Sequence, residues 1–235
     1  MRLNFILLFP VTLFCLLFTI EMADAKISTE EFFKLCEKGT VREVEDAINA
    51  GADVNVRNGS GDTPIMLAAE CNSNSEVTTA LINAGADINA MNERGWMPIM
   101  VAALSNSNPA VTTALINAGA DVNATRINGE TPLLLATVIN SNPEVMIALI
   151  KAGADVNACE STGLTPLTSA AKQNPNPEFV TTLLKLGANP SLKDKFGKMA
   201  IDYAKENEKI KNSPAIRKLE DASYCSIKNS ALPNL

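Results

Sequence analysis

The chain has 235 residues, with 20 Lys+Arg against 26 Asp+Glu, a formal net charge of -6 and no histidine. Without histidine there is no Ser-His-Asp or Cys-His nucleophilic site and no histidine-ligated zinc. An acidic chain with 5% aromatic residues also lacks the basic face and stacking rings that nucleic-acid binding needs. Residues Leu3 to Ile20 carry no charge, follow Arg2, and are followed by the small-residue pattern Ala23-Asp24-Ala25. This reads as a secretory signal peptide, residues 1–25, cleaved after Ala25. The alternative is an uncleaved anchor, since the apolar run sits at the lower limit for spanning a bilayer, and Pro10 excludes neither. The short positive region and the A-x-A site fit export from a bacterial cell, to the periplasm or beyond. Four of the five cysteines follow the leader: Cys36, Cys71, Cys159 and Cys225. They are too few and too far apart to form a disulfide framework, so unpaired thiols are expected.

After residue 28 the sequence is periodic. Gly-Ala-Asp starts at Gly51, Gly85, Gly119 and Gly153, 34 positions apart, and Gly187-Ala188-Asn189 is a fifth copy. Thr63-Pro64, Met97-Pro98, Thr131-Pro132 and Thr165-Pro166 keep the same interval. A period of this size marks a stacked repeat architecture. Within the unit Gly61 to Arg94, Thr63 is a suitable N-cap and Pro64 a suitable first helical residue. Ile65, Leu67, Ala68 and Ala69 form a short first helix, and Asn72-Ser73-Asn74-Ser75 breaks it as an exposed turn. Val77, Ala80, Leu81 and Ala84 lie at helical spacing in a second helix, which Gly85 ends. Later copies place Asn108-Pro109, Asn142-Pro143 and Asn176-Pro177 at the second helix start. Neither helix is long enough to stand alone, so the units must stack to bury their apolar faces.

Thr131-Pro132-Leu133, Ala68-Ala69 and Gly119-Ala120-Asp121-Val122-Asn123-Ala124 resemble the ankyrin repeat. The resemblance covers residues 28 to 221. It implies an all-α repeat solenoid of stacked helix pairs with short β-hairpin fingers, and no enzyme, cofactor or small-molecule substrate. The units are an N-terminal capping repeat (26–60), four repeats (61–94, 95–128, 129–162, 163–196), a C-terminal capping repeat (197–222) and a flexible tail (223–235). Each repeat is one residue longer than the family's usual length of about 33, and the extra residue falls between the two helices. The family's histidine after T-P-L is replaced by Met66, Met100, Leu134 and Thr168, so apolar packing should stand in for its hydrogen bonds. The recurring Asp53, Asp87, Asp121 and Asp155 are expected to satisfy backbone amides at the finger base, not to ligate a metal. Met66, Met91, Met97 and Met100 read as core or near-core filler.

No nucleotide-binding, redox or nucleophile-elbow motif is present, so what remains is a surface. The resemblance implies a protein partner, bound by a monomer through the finger tips and the exposed side of the first helices. The matching positions are Ser60, Asp62 and Glu70, then Glu93, Arg94, Trp96 and Leu104. They continue with Ile127, Asn128, Glu130, Val138 and Ile139, and with Thr162 and Leu164. Cys71, Ser105, Ser161, Lys172 and Gln173 lie beside them. Trp96 is the chain's one tryptophan, and tryptophan and arginine dominate binding hot spots. Leu104, Val138, Ile139, Ile127 and Leu164 are expected to extend it into an apolar stripe, although Trp96 packing against Met91 or Met97 would serve the finger alone.

Overall fold

Proline at the first helical position sets where most of the helices begin. The computed structural model describes residues 27–230, with side chains described for 27–224. The leader, the Cys225 side chain and the last five positions of the tail lie outside the described residues. Among the described residues twelve helices fall into six pairs: α1 (Thr29–Lys38) with α2 (Val41–Asn49), α3 (Pro64–Cys71) with α4 (Ser75–Asn83), and α5 (Pro98–Ser105) with α6 (Pro109–Asn117). Then come α7 (Pro132–Ile139) with α8 (Pro143–Lys151), α9 (Pro166–Gln173) with α10 (Pro177–Lys185), and α11 (Ala200–Glu206) with α12 (Pro214–Ser230). First helices stack on first helices and second on second along the whole array. Ala68, Ala69, Ala102 and Ala103 are fully buried in this stack, where only a methyl group fits between neighbouring helices. Ile65, Ile99, Leu133 and Leu167 form one internal seam, and Leu81, Leu115, Leu149 and Leu183 form the other.

The missing histidine has two substitutes. Met66, Met100 and Leu134 are buried, as apolar replacement requires. Thr168 departs from that expectation. Its Oγ1 accepts from the Thr165 amide at 2.6 Å and donates to the Thr165 carbonyl at 2.9 Å, so a hydroxyl ties this helix start. Thr63 is left worse off: its Oγ1 is buried with no hydrogen-bond partner among the described residues. Met91 is also corrected, since it is 47% exposed and not core filler.

The inter-helix turns are exposed as expected at Ser73, Asn74, Ser107 and Ser141, but their first residue is not. Asn72, Asn106, Asn140 and Asn174 are buried. Each Nδ2 reaches back one repeat to the carbonyls that end the preceding first helix. Asn106 donates to Ala69 and Asn72 (both 3.0 Å), and Asn140 to Ala103 (2.9 Å) and Asn106 (3.0 Å). Each Oδ1 accepts the amide two residues on, as from Asn142 at 2.9 Å. Helix C-termini leave carbonyls without intrahelical partners. This asparagine ladder satisfies them across the repeat boundary, and Asn207 continues it to Ala171 and Asn174.

The fingers are narrower than the β-hairpins expected: the described residues contain no strand. The reason is a side-chain substitution in the ladder. Asn58 N donates to the Asp62 carbonyl at 3.0 Å, but the Asp62 amide answers to Asn58 Oδ1, not to its backbone. Asn92, Glu160 and Asp194 repeat this for Trp96, Leu164 and Lys198. Neighbouring fingers are joined by single backbone bonds, such as Lys195 N to Thr162 O at 2.9 Å. Asp53, Asp87, Asp121 and Asp155 each accept the amide two residues on, the backbone role expected of them.

Close finger packing makes the finger glycines Gly61 and Gly163 more demanding than the glycines that end the second helices. Gly163 has φ +88, and a Cβ there would lie 3.1 Å from Asp194 Cα and 3.3 Å from Lys195 N. Gly153 has φ +98 with nothing within 4 Å of such a Cβ. Gly153→Ala should therefore cost only the left-handed backbone, roughly 1 kcal/mol. Gly163→Ala adds overpacking against backbone that cannot turn aside, for a total of at least about 2 kcal/mol. Urea denaturation midpoints of the two variants measure the difference.

The ends are closed differently. At the N-terminal cap, α1 turns Glu30 and Lys34 outward as an exposed pair at 3.0 Å. At the other end, α12 runs past Ala222, where it was expected to stop. Leu219 is fully buried, and Ser223, also buried, donates its hydroxyl to the Leu219 carbonyl at 2.7 Å, which carries the helix into the expected tail. Among the described residues no helix is long and apolar enough to cross a membrane. Cys36 is a free, buried thiol, pushed up to about 12 by burial; Cys71 and Cys159 are free and exposed.

Candidate functional site

The third finger differs from the rest in one position. Asn58, Asn92, Glu160 and Asp194 each offer a side-chain acceptor that closes their own finger. The third finger has Arg126 at that register, which has no acceptor to offer. Its backbone amide still closes the turn on the Glu130 carbonyl at 3.1 Å, and its side chain is released to other work. The guanidinium lies 4.0 Å from the centre of the Trp96 ring. Nη1 pairs with the Glu130 carboxylate at 2.6 Å, and Nη2 donates to the Arg94 carbonyl at 3.4 Å. Arginine is suited to this because its planar cation can stack and donate at once. The result is a clamp between two fingers. Trp96 is half-buried and packs against the core, and its ring is held by Arg126 of the next finger.

Beside the clamp lies a cavity of about 230 Å³ lined by Ser60, Asp62, Glu70, Asn92, Arg94, Trp96, Val101, Leu104 and Ser105. The fold thus gathers Ser60, Asp62, Glu70, Arg94, Trp96 and Leu104 from three successive units into one place. Asp62 is fixed by Asn58 Nδ2 at 3.1 Å and Asn92 Nδ2 at 2.6 Å. The Glu70 carboxyl is held above the usual range, first by burial and then by the charges of Asp62 and Glu37. Larger hollows of about 430 and 580 Å³ lie between the second helices. The wider one is floored by residues such as Thr79, Ala110, Thr113 and Ala114 and holds no charged group, so it offers little chemistry for recognition.

The remaining surface positions spread along the array. Ile127 at the tip of the third finger is 92% exposed, and Ile139 in the last turn of α7 is 61% exposed. Asn128 is exposed beside Ile127, and Val138 is half-buried beside Ile139. Four others are engaged in holding fingers. The Glu93 amide donates to the Ser60 carbonyl at 3.4 Å, Glu130 pairs with Arg126, and the Thr162 and Leu164 amides bond to Glu160. Burial would push the Glu160 carboxyl up, but its bonds from Thr162, Leu164 and Ser161 outweigh it and hold the carboxyl low. Arg126 is the residue that sequence reasoning missed. Its signal was present: it breaks the run of side-chain acceptors at positions 58, 92, 160 and 194.

A family model described as ankyrin repeats (3 copies) matches residues 32–126 and 99–194. The chain belongs to the ankyrin-repeat family. A search of curated proteins returns no match. Ankyrin repeats generally mediate protein–protein interaction and are typically not enzymes. In these ankyrin repeats the residues that keep the 34-residue period build the seams, the ladder and the finger bases, so the features left for recognition are those that change from repeat to repeat: Trp96, Arg126, Glu70, Ile127 and Ile139.

Proposed function

We propose that the chain is a non-catalytic, monomeric recognition module acting outside the cytoplasm, which binds a partner protein through its finger tips and the adjacent first-helix face. The observation that carries this is the Trp96–Arg126 clamp. A 4.0 Å stack and a 2.6 Å ion pair order an aromatic ring at the surface before any partner arrives, and preorganised aromatic and arginine anchors are the residues that dominate interfaces. Ile127 and Ile139 add further exposed apolar side chains along the array. Location rests on the uncharged run Leu3 to Ile20 and on Ala23-Asp24-Ala25. A mature mass corresponding to residues 26–235 supports cleavage, and a full-length mass supports the anchored scaffold.

The test is capture of the partner from the native compartment by wild type, Ile139→Asp and Trp96→Ala. Ile139 is exposed, so its substitution leaves the stack intact. Circular dichroism should be unchanged, while capture weakens by about 2 kcal/mol, roughly 30-fold. Trp96→Ala should lose at least as much. Normal capture by both variants would place the contact surface elsewhere.

A further inference from the structure

The cavity beside Trp96 has a size and a charge that single out one kind of occupant. At about 230 Å³ it falls below the roughly 300 Å³ at which small-molecule sites begin, and it suits one long side chain. Its lining is of two kinds: Trp96, Val101 and Leu104 are apolar, and Asp62 and Glu70 are carboxylates. Among the described residues none of the ion pairs includes Asp62 or Glu70. Glu70 is also misplaced for its helix. It sits in the last turn of α3, where the backbone dipole disfavours an anion, and Asp62 and Glu37 add like charge. Arg94 is the one cation on the lining. It is exposed, and two carboxylates against one guanidinium leave the cavity negative. Arg126 is not part of the lining, yet it shows what the Trp96 ring accepts: a guanidinium stacked on it at 4.0 Å.

We infer that this cavity takes an arginine side chain of the partner protein, its stem lying along Trp96 and Leu104 and its guanidinium meeting Asp62 and Glu70. The inference rests on the recognition face proposed above. Arginine fits better than lysine, because a planar guanidinium stacks on indole and meets carboxylates in the same plane. The charge complementarity is direct: a cation here relieves the two carboxylates that the fold has brought together.

Trp96 is the chain's one tryptophan, so its emission reports this cavity alone. The probes are a blocked pentapeptide with arginine at its centre, flanked by leucine and glycine, and the citrulline counterpart, equal in shape but uncharged. Titrated into the full chain, the arginine peptide should shift the emission saturably and bind about tenfold more tightly than the citrulline peptide. Glu70→Gln, at an exposed position that does not threaten folding, should close that gap. Equal binding of the two peptides, or no shift with either, overturns the inference. The recognition face is judged apart from this. If Ile139→Asp abolishes partner capture while the two peptides bind alike, the arginine site falls and the face stands. Capture indifferent to both Ile139→Asp and Trp96→Ala overturns both.

Discussion

Asn140→Asp should destabilise the protein more than Asn140→Ala, although aspartate is nearly the same shape. Asn140 is 3% exposed, and its amide spans a repeat boundary, donating to the Ala103 carbonyl at 2.9 Å and the Asn106 carbonyl at 3.0 Å. Alanine removes both donors and also the acceptor used by the Asn142 amide at 2.9 Å. Buried groups left without partners cost roughly 1–3 kcal/mol each and not additively, so a loss of about 3 kcal/mol is expected. Aspartate keeps the acceptor but points a carboxylate at two carbonyl oxygens, replacing two attractions with repulsion in a poorly solvated place. Urea denaturation of the full chain should rank wild type, Asn140→Ala and Asn140→Asp in falling order. Amide exchange at Asn142 should quicken in the alanine variant and stay slow in the aspartate one. An aspartate variant as stable as wild type would mean that the ladder contributes little.

Leu149→Ala should cost about 3–5 kcal/mol and change the shape of the unfolding curve as well as its midpoint. Leu149 is fully buried in α8, in the second seam with Leu115 and Leu183. A leucine truncated at such a site loses its transfer energy and leaves a cavity, and neighbouring helices pinned on both sides cannot close it. In an array whose stability sums over units and nearest-neighbour interfaces, a weak central unit uncouples its two flanks. Unfolding should then split into two transitions, with residues 27–128 and 163–224 melting separately. A single transition merely shifted to lower urea would show that coupling passes through the first helices alone.

Helix positions were legible because their signals are local. Proline at the first turn, threonine or asparagine before it, and glycine after the second helix fix each boundary from a few neighbouring residues, and Pro98–Ser105 and Pro143–Lys151 start where those signals fall. The ladder was not legible for the opposite reason. Asn106 has the composition of an ordinary turn former, and the partners that bury it, Ala69 and Asn72, lie one repeat back. Trp96 and its cavity neighbours were readable from register. The stacking of Arg126 on the ring was not, because a cation–π contact leaves no periodic trace in a sequence. The fingers were misread as paired strands because the second ladder bond goes to side chains such as Asn58 and Asp194, a choice invisible to backbone patterns.

The asparagine ladder runs in one direction, every rung donating backward to carbonyls of the unit before it. The ladder therefore asks of each preceding unit only two carbonyls at a fixed place, and every predecessor presents them. Excision of residues 95–128 would bring Asn140 against the carbonyls of Ala69 and Asn72 that Asn106 now holds. The same joint would also accept an added copy, and the identical stretches Val77 to Asp87 and Val111 to Asp121 have the form that copying leaves. The length of the array is thus free to vary by whole units, whereas the clamp is not: Trp96 and Arg126 occur once each, both within the single unit 95–128, and Arg126 closes over a ring that no other unit supplies.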